Sequence, residues 1–133
     1  MFNKIKYYIQ RAKRGYADSD LWDFDDYLCG ILPAALRKMK GGVGCPSEFF
    51  DESAKNNECH NWDDELETMA QGFEAAKFLK DYKFIKWVPS KENKEGMPGT
   101  NVMTTDYEAM ENARKKVEKG LESFAKNFLN LWD

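Results

Sequence analysis

Five aspartates fall within the twelve-residue stretch "ADSDLWDFDDYL", interleaved with leucine, tryptophan, phenylalanine and tyrosine. Clustered carboxylates can bind a divalent metal ion, share a proton between them, or face water. At about 100° per helical residue, Asp25 falls inside the apolar arc of a helix through this stretch, and the other four aspartates do not. We therefore expect those four to cap and solvate the helix, and Asp25 to need a charged partner.

Arg114 is the predicted partner of Asp25. The same angular count places Arg114 inside the apolar arc of the last helical segment, while Arg11 and Arg14 are alternatives closer along the chain. Burying one member of an ion pair without the other is strongly unfavourable, so the two charges are expected together. The pattern predicts a structural ion pair between Asp25 and Arg114, whose loss would destabilise the fold instead of stopping a reaction.

Two carboxylate pairs have the spacing that could hold magnesium between facing helices. Asp64 and Glu67, and likewise Glu108 and Glu111, are three residues apart in the sequence, so one helical turn aims both members of a pair at the same ion. All-helical nucleotide pyrophosphohydrolases bind magnesium in this way, which makes such an enzyme the main alternative hypothesis. Acids are favoured in the first turn of any helix, and we expect no catalytic residues here.

A zinc site would have to use the single histidine, His60, together with Cys29, Cys45 and Cys59. The spacing is unfavourable, because no two cysteines form a CxxC pair, Cys59 and His60 are adjacent, and Cys29 lies within a predicted helix. With one histidine, a nucleophile–histidine–acid arrangement has no choice of base. We expect neither a bound metal nor a cofactor.

The stretch "FLKDYKFIKWV", residues 78–88, interleaves aromatic side chains with lysines. Exposed rings between lysines can stack on a nucleobase beside a phosphate, or form the apolar centre of a protein contact. The competing hypothesis is that the rings close the bundle or an oligomer contact while the lysines extend into water. The candidate ligand- or partner-binding residues are Tyr82, Lys83, Phe84, Lys86 and Trp87.

Four helical segments must position these residues, since apolar side chains recur at spacings of three and four along most of the chain. The first segment covers residues 2–14 and ends at Gly15, and the second runs from Asp18 or Ser19 past Pro33 to the glycines of 41–44. The third begins at Asn61, and the last runs from Thr105 to the C-terminus. Proline and glycine predict a long loop over 83–104. The expected fold is an all-α, single-domain bundle of about four main helices over residues 1–133.

The last helix supports two local predictions. Thr105 and Glu108 have the spacing of a capping box. In that motif the threonine side chain accepts a hydrogen bond from the backbone N–H of the glutamate, and the glutamate side chain accepts one from the backbone N–H of the threonine. Gly120 lies in the helix interior, where glycine is unfavourable by about 1 kcal/mol relative to alanine. We therefore expect another backbone to pack closely against Gly120.

The composition is that of an ordinary globular protein, with 133 residues, 42% hydrophobic and 32% charged, and a net charge of −3. This charge gives no overall electrostatic attraction to nucleic acid or to a membrane, and no apolar stretch has the length of a signal peptide or a transmembrane helix.

The first 17 residues carry five basic side chains and no acid. A basic N-terminal helix that binds nucleic acid is thus a further alternative. Three cysteines without a secretory signal predict reduced thiols in a cytosolic setting.

Several stretches of the chain resemble one family: "RGYADSDLWDFDDYLCGILPAALRKMK", a glycine-rich turn with Pro46, "NWDDELETMAQGFEAA" and "VEKGLESFAKNFLNLWD". They are similar to a family of small uncharacterised proteins encoded by bacteriophages, over most of the chain except the 83–104 loop. Cys45 departs from the family pattern, which has an aromatic residue before Pro46. The resemblance implies a phage protein that works in the host cytoplasm, and it supplies a source without a mechanism.

Small phage accessory proteins without catalytic motifs often act by stoichiometric binding. The resemblance therefore implies a non-enzymatic protein that counters host defence by blocking a host defence protein or by sequestering a nucleotide signal. Self-association through the surplus of aromatic residues is a further expectation. No membrane partner is expected, and nucleic acid is a weaker alternative than the magnesium-dependent pyrophosphohydrolase.

Overall fold

A computed structural model describes residues 2–42, 45–46, 49, 60–89 and 101–131, apart from the side chains of Phe2 and His60. Within these ranges the α-helices are α1 (Phe2–Arg14), α2 (Phe24–Met39), α3 (His60–Lys80) and α4 (Tyr107–Asn127). Two antiparallel strands, β1 (Ile85–Pro89) and β2 (Asn101–Thr105), lie between α3 and α4 in the sequence. The predicted all-α bundle of four main helices is confirmed. None of the described helices combines the length and apolar character needed to cross a membrane.

The hydrophobic core lies where α3 packs against both α2 and α4. Leu66 and Met69 of α3 are fully buried, and Leu36 of α2 is almost so. Farther along the same face of α3, Phe73 meets Phe124 of α4 edge to face, with ring centroids 5.1 Å apart. Because α3 has a helix on two sides, its buried residues spread over more of its circumference than a single stripe.

Helices α3 and α4 cross backbone to backbone at Gly72 and Gly120. A Cβ atom on Gly72 would lie 2.6 Å from Cα of Gly120, and one on Gly120 would lie 2.5 Å from Cα of Gly72. Neither contact is sterically possible, so this crossing requires glycine at both positions. The predicted close approach of a second backbone to Gly120 is confirmed.

The start of the second helical segment differs from the prediction. Residues Asp18–Leu21 form a short 3-10 turn, and α2 begins only at Phe24. Asp20 stabilises the turn, since its Oδ2 accepts hydrogen bonds from the backbone N–H of Ala17 at 2.8 Å and from Nε of Arg11 at 2.9 Å. The chain is therefore not one continuous helix from residue 18, and angular positions counted along such a helix do not hold.

Helix α1 is joined to the rest of the described structure through this 3-10 turn. It ends at Gly15, whose φ of +83° is a left-handed conformation that glycine adopts without strain. The hydroxyl of Tyr27 donates a hydrogen bond to the Gly15 carbonyl and fixes the connection to α2.

Part of the segment 83–104, which we expected to be a loop, is a β-hairpin. Residues 85–89 pair with residues 101–105 in a register that places Trp87 opposite Met103 and Val88 opposite Val102. β-Branched and aromatic residues favour extended strands, but the prolines and glycines of the segment are typical of a loop. The two strands pair with each other, and no described helix packs against them.

The N-cap of α4 is Asp106, so the predicted capping box of Thr105 and Glu108 is wrong. Oδ1 of Asp106 accepts a hydrogen bond from the backbone N–H of Ala109 at 2.9 Å. Thr105 is instead the last residue of β2, which moves the helix start by one position. Oδ2 of Asp106 also lies 2.7 Å from Nζ of Lys86 in β1, which ties the hairpin to the start of α4.

Candidate binding surface

Tyr82 follows α3 in a backbone conformation that favours glycine, with φ of +52°. Its N–H donates to the carbonyl of Leu79 at 3.1 Å, and the N–H of Lys83 donates to the carbonyl of Phe78 at 3.1 Å. These bonds form a Schellman motif with Tyr82 at the position that glycine usually occupies. A side chain there is unfavourable by roughly 1 kcal/mol, yet Tyr82 is 65% exposed and adds little to the core. Strain at an exposed ring points to a role in binding.

Phe84 connects Tyr82 to the helical bundle. Its ring centroid lies 6.0 Å from that of Tyr82 and 6.4 Å from that of Phe78 in α3. Phe84 is half-buried, whereas Tyr82 and Trp87 are largely exposed. Of the three predicted aromatic residues, Phe84 therefore contacts the helical bundle, and the other two expose their rings to solvent.

The hairpin exposes apolar side chains on both of its faces. Trp87 is 68% exposed and Met103, directly opposite it on β2, is 60% exposed. Side chains alternate between the faces of a strand, so the exposed pair Val88 and Val102 lies on the other face. The two-stranded sheet also leaves one edge of each strand unpaired by any described strand.

We call these residues the hairpin surface: Tyr82, Lys83, Phe84, Lys86, Trp87, Val88, Val102 and Met103. The structure brings the five predicted binding residues together on the end of α3 and β1, but not on one face. Lys86 points away from Trp87 and binds Asp106. Val102 and Met103 were missed, because they join this surface by pairing with a strand from another part of the sequence. Val88 lies in the stretch 78–88 but was not named as a binding residue.

Asp25 is not the buried member of an ion pair with Arg114, which corrects that prediction. Its side chain is 71% exposed, and Oδ1 lies 2.8 Å from Nζ of Lys80 in α3. Lys80 also binds Asp23 at 3.0 Å, and its hydrogen bond to Asp25 lowers the pKa of that carboxyl. Asp25 is exposed because α2 starts at Phe24, which places Asp25 in the first helical turn, next to the end of α3.

Asp20 is the buried carboxylate of the aspartate cluster, although we expected it to face water. Its side chain is 8% exposed and pairs with Arg11 of α1. The hydrogen bond from Arg11, followed by that from the backbone of Ala17, lowers the pKa of Asp20. Arg14 binds Asp18 in the same way, so two acids of the cluster neutralise the two arginines among the first 17 residues.

Arg37 is the centre of an ion-pair network between α2 and α3. Its Nη2 lies 2.9 Å from a carboxylate oxygen of Glu67 and 2.9 Å from one of Glu74. Lys40 adds a third contact, with Nζ 3.0 Å from Oε2 of Glu67. Arg37 first, and then Lys40, lower the pKa of Glu67 to about 2.

The magnesium hypothesis requires Asp64, Glu67, Glu108 and Glu111 to converge. Helices α3 and α4 run antiparallel, because Gly72 meets Gly120 while Phe78 shares a groove with Ala109. The first two carboxylates therefore lie near the end of α4 and the other two at its start, roughly 20–30 Å apart along the helix axis. Both oxygens of Glu67 are already bound by Arg37 and Lys40. Among the described residues, no group of three or more histidine, cysteine, aspartate or glutamate side chains could hold a metal ion.

The groove between α3 and α4 has a volume of about 270 Å³. Phe78 and Glu74 line it from α3, and Asn112 and Lys116 line it from α4. Pockets that enclose a small molecule usually have volumes of roughly 300–1,000 Å³. This groove is open and lies at the lower limit of that range, so it does not compete with the hairpin surface as a candidate site.

The cysteines do not match the expected set of reduced thiols. Cys29 is a free thiol in α2, and burial raises its pKa, which reduces its reactivity. Cys45 is disulfide-bonded, which contradicts the prediction for that residue. The zinc alternative also involves Cys59 and the side chain of His60, which lie outside the described part of the chain.

No protein-family model matches the chain, and neither a curated protein nor a solved structure does. The resemblance to bacteriophage proteins therefore stays a prediction.

Proposed function

We propose that this chain is a non-enzymatic binding protein that acts stoichiometrically, and that the hairpin surface is its contact with a partner protein. The observation that supports this best is the exposure of apolar side chains on both faces of a hairpin that no described helix covers. A two-stranded hairpin is marginally stable by itself in water. A partner that covers Trp87 and Met103 would stabilise the hairpin and bury its largest apolar side chains.

Two features favour a protein over a nucleotide as the ligand. The unpaired strand edges carry free backbone N–H and C=O groups, to which an extended segment of another protein can add as a further strand. Exposed tryptophan and tyrosine are also the residues that most often dominate protein contacts. A nucleotide would need one enclosed site, whereas Trp87 and Val88 point to opposite faces of the hairpin.

The charged residues support a role that is not catalytic. Asp20 is bound by Arg11, Asp25 by Lys80, and Glu67 by Arg37. Each of these pairs joins two elements of the fold, so these carboxylates act as structural contacts. They give little support to the magnesium-dependent pyrophosphohydrolase.

The resemblance to bacteriophage proteins supplies the biological role in this proposal. The chain would be a phage accessory protein that counters host defence by blocking a host protein. Its proposed place in the host cytoplasm depends on the resemblance alone, because a disulfide such as that of Cys45 is uncommon in a reducing compartment. The alternative is that Tyr82, Lys83 and Phe84 sequester a nucleotide signal.

Trp87→Ala tests the proposed contact. The purified wild-type chain, immobilised and exposed to bacterial lysate, is expected to retain a partner protein in a fixed stoichiometry. The variant is expected to bind that protein at least about thirtyfold more weakly, because a central aromatic hot spot contributes about 2 kcal/mol or more. Native mass spectrometry of the eluted complex gives the subunit ratio, any self-association and any retained small molecule.

Leu129→Ala is the matched control. Leu129 is also largely exposed, but it lies beyond the end of α4, whereas the hairpin lies before its start. Equal retention by wild type and Trp87→Ala would exclude the hairpin surface as the contact. Release of an intact nucleotide from the purified protein would show that its ligand is a nucleotide and not a protein. Magnesium-dependent turnover of nucleoside triphosphates that Glu67→Gln abolishes in a folded protein would overturn the non-enzymatic proposal.

A further inference from the structure

Helix α1 is attached to the protein through its polar side. Nε of Arg11 donates to Oδ2 of Asp20 at 2.9 Å, and Arg14 binds Asp18. Gln10 also binds the Asp18 carboxylate, with Nε2 2.6 Å from Oδ2. Among the described elements, the 3-10 turn that carries these acids is the one that α1 contacts.

The apolar side of α1 faces outward. Ile5, Tyr8 and Ile9 are each half or more exposed. At about 100° per residue these three side chains and Ala12 share one arc of roughly 100°. A surface helix normally turns such an arc toward the core, so α1 has the reverse orientation and leaves an apolar face without a described partner.

Lysines border this apolar face on both sides. By the same angular count Lys4 lies beside Tyr8, while Lys6 and Lys13 lie beside Ile9. The two arginines of α1 are neutralised by Asp18 and Asp20, and Lys6 has a longer contact of 3.9 Å with Asp18. The charge that remains available therefore lies along the edges of the apolar face. The whole-chain net charge of −3 conceals this local arrangement.

We propose that α1 docks through Ile5, Tyr8 and Ile9 on the surface of a membrane that contains anionic phospholipids. A helix of 13 residues is roughly 20 Å long and can lie in the plane of the interface, with its apolar face in the acyl region and its lysines at the headgroups. Tyr8 suits the boundary between the two regions, where tyrosine is enriched. This inference concerns a different element from the hairpin surface and does not depend on the proposed partner protein.

Charge complementarity favours an anionic membrane over a second copy of the chain. Two copies of α1 packed face to face would bring their lysine rows together, and like charges at a contact are unfavourable. An anionic bilayer offers negative charge along both borders of the apolar face at once. Each lysine near such a surface strengthens binding roughly fivefold.

Co-sedimentation of the full chain with lipid vesicles tests the proposal. Wild-type protein is expected to sediment with phosphatidylcholine vesicles that contain phosphatidylserine, and not with vesicles of phosphatidylcholine alone. The double variant Ile5→Gln/Ile9→Gln is expected to bind at least tenfold more weakly than wild type, because it removes the apolar contact and keeps the charge. The triple variant Lys4→Gln/Lys6→Gln/Lys13→Gln is expected to bind roughly a hundredfold more weakly.

Ile31→Gln is the matched control, because Ile31 is a comparably exposed isoleucine on α2. It should bind vesicles as wild type does, and circular dichroism should show the same helix content for all variants. Absence of binding to the anionic vesicles, or binding that the double isoleucine variant leaves unchanged, would overturn the proposal. So would a dimer in sedimentation velocity that the isoleucine variant dissociates, which would assign the face to a second copy. Binding to duplex DNA in place of vesicles would assign it to nucleic acid.

Discussion

At the scale of the residue, Tyr82 is where stability and binding are expected to oppose each other. Both Tyr82→Gly and Tyr82→Ala remove the exposed ring, but only glycine adopts the positive φ of +52° without strain. We therefore expect the glycine variant to be more stable than the alanine variant by about 1 kcal/mol. Urea unfolding of the two variants measures this difference, and both should lose partner binding to the same extent.

The comparison separates the backbone from the side chain. Equal stability of the two variants would show that the helix end relaxes to another conformation in solution. Partner binding that survives both changes would remove Tyr82 from the hairpin surface and leave Trp87 as its main aromatic contact.

Glu67 is expected to make the stability of the protein depend on acid pH. Arg37 and then Lys40 lower its folded pKa to about 2, from an ordinary value of 4.5. The folded state therefore binds a proton less readily than the unfolded chain, and the resulting stabilisation is complete above pH 4.5 and is lost as the pH falls toward 2. Glu67→Gln should be less stable than wild type at neutral pH and should approach it in acid.

Urea unfolding at a series of pH values measures this convergence. Asp64→Asn is a suitable control, since it removes an exposed carboxylate from the same helix without touching Arg37. A constant difference between wild type and Glu67→Gln at every pH would show that the ion pair contributes nothing that depends on protonation.

The roles of the individual aspartates could be predicted only in part. That most of the cluster is structural follows from helix geometry, but the choice of Asp25 over Asp20 was wrong. The angular count assumed a helix from residue 18, and the 3-10 turn that precedes α2 changes the direction of every side chain after it. That turn depends on the contact of Asp20 with Arg11, which is tertiary information that a single-segment pattern does not contain.

At the scale of the element, the crossing of α3 and α4 is the contact most sensitive to a single methyl group. Alanine at Gly72 or at Gly120 would place Cβ within 2.6 Å of the opposite backbone, which cannot move without separating the helices. We expect each variant to lose about 2–3 kcal/mol of unfolding free energy, despite the higher helix propensity of alanine.

Gly30→Ala provides the matched control, because Gly30 lies in α2 with no atom within 4 Å of the added Cβ. This variant should gain up to about 1 kcal/mol. Thermal or urea unfolding measures the change in unfolding free energy of the three variants. This change should be negative for the two variants at the crossing and positive for Gly30→Ala. A gain in stability for Gly72→Ala would contradict it.

The helices were predictable because each carries apolar residues at helical spacing over three turns or more. The hairpin was not, because each strand is only five residues long, and Pro89 and the glycines that follow indicate a loop. What makes these residues strands is their pairing across the connection, and a local pattern cannot show it. The same pairing supplies Val102 and Met103 to the candidate site, so both were missed.

At the scale of the whole molecule, stability is unevenly distributed. Helices α2, α3 and α4 share the buried core, whereas α1 and the hairpin have few contacts outside their own neighbourhood. Local opening is easiest where little apolar surface is buried. We expect amide hydrogens of α1 and of the two strands to exchange much faster than those of α3, at the same pH and temperature.

Hydrogen exchange followed by mass spectrometry measures this gradient. Adding the partner protein should slow exchange in the strands, and adding anionic vesicles should slow it in α1, with α3 as the internal reference. Uniform protection of all elements would show that α1 and the hairpin are packed more tightly than their exposed side chains indicate.

The glycine crossing also has a consequence for descent. Since a methyl group at either glycine meets the backbone of the opposite helix, neither glycine can be replaced by a larger residue during evolution, even in relatives whose surface residues are no longer similar. Distant homologues of this chain should have small residues at both positions, one before and one after the hairpin in the sequence. A search that requires this pair can therefore detect homologues that overall sequence identity does not.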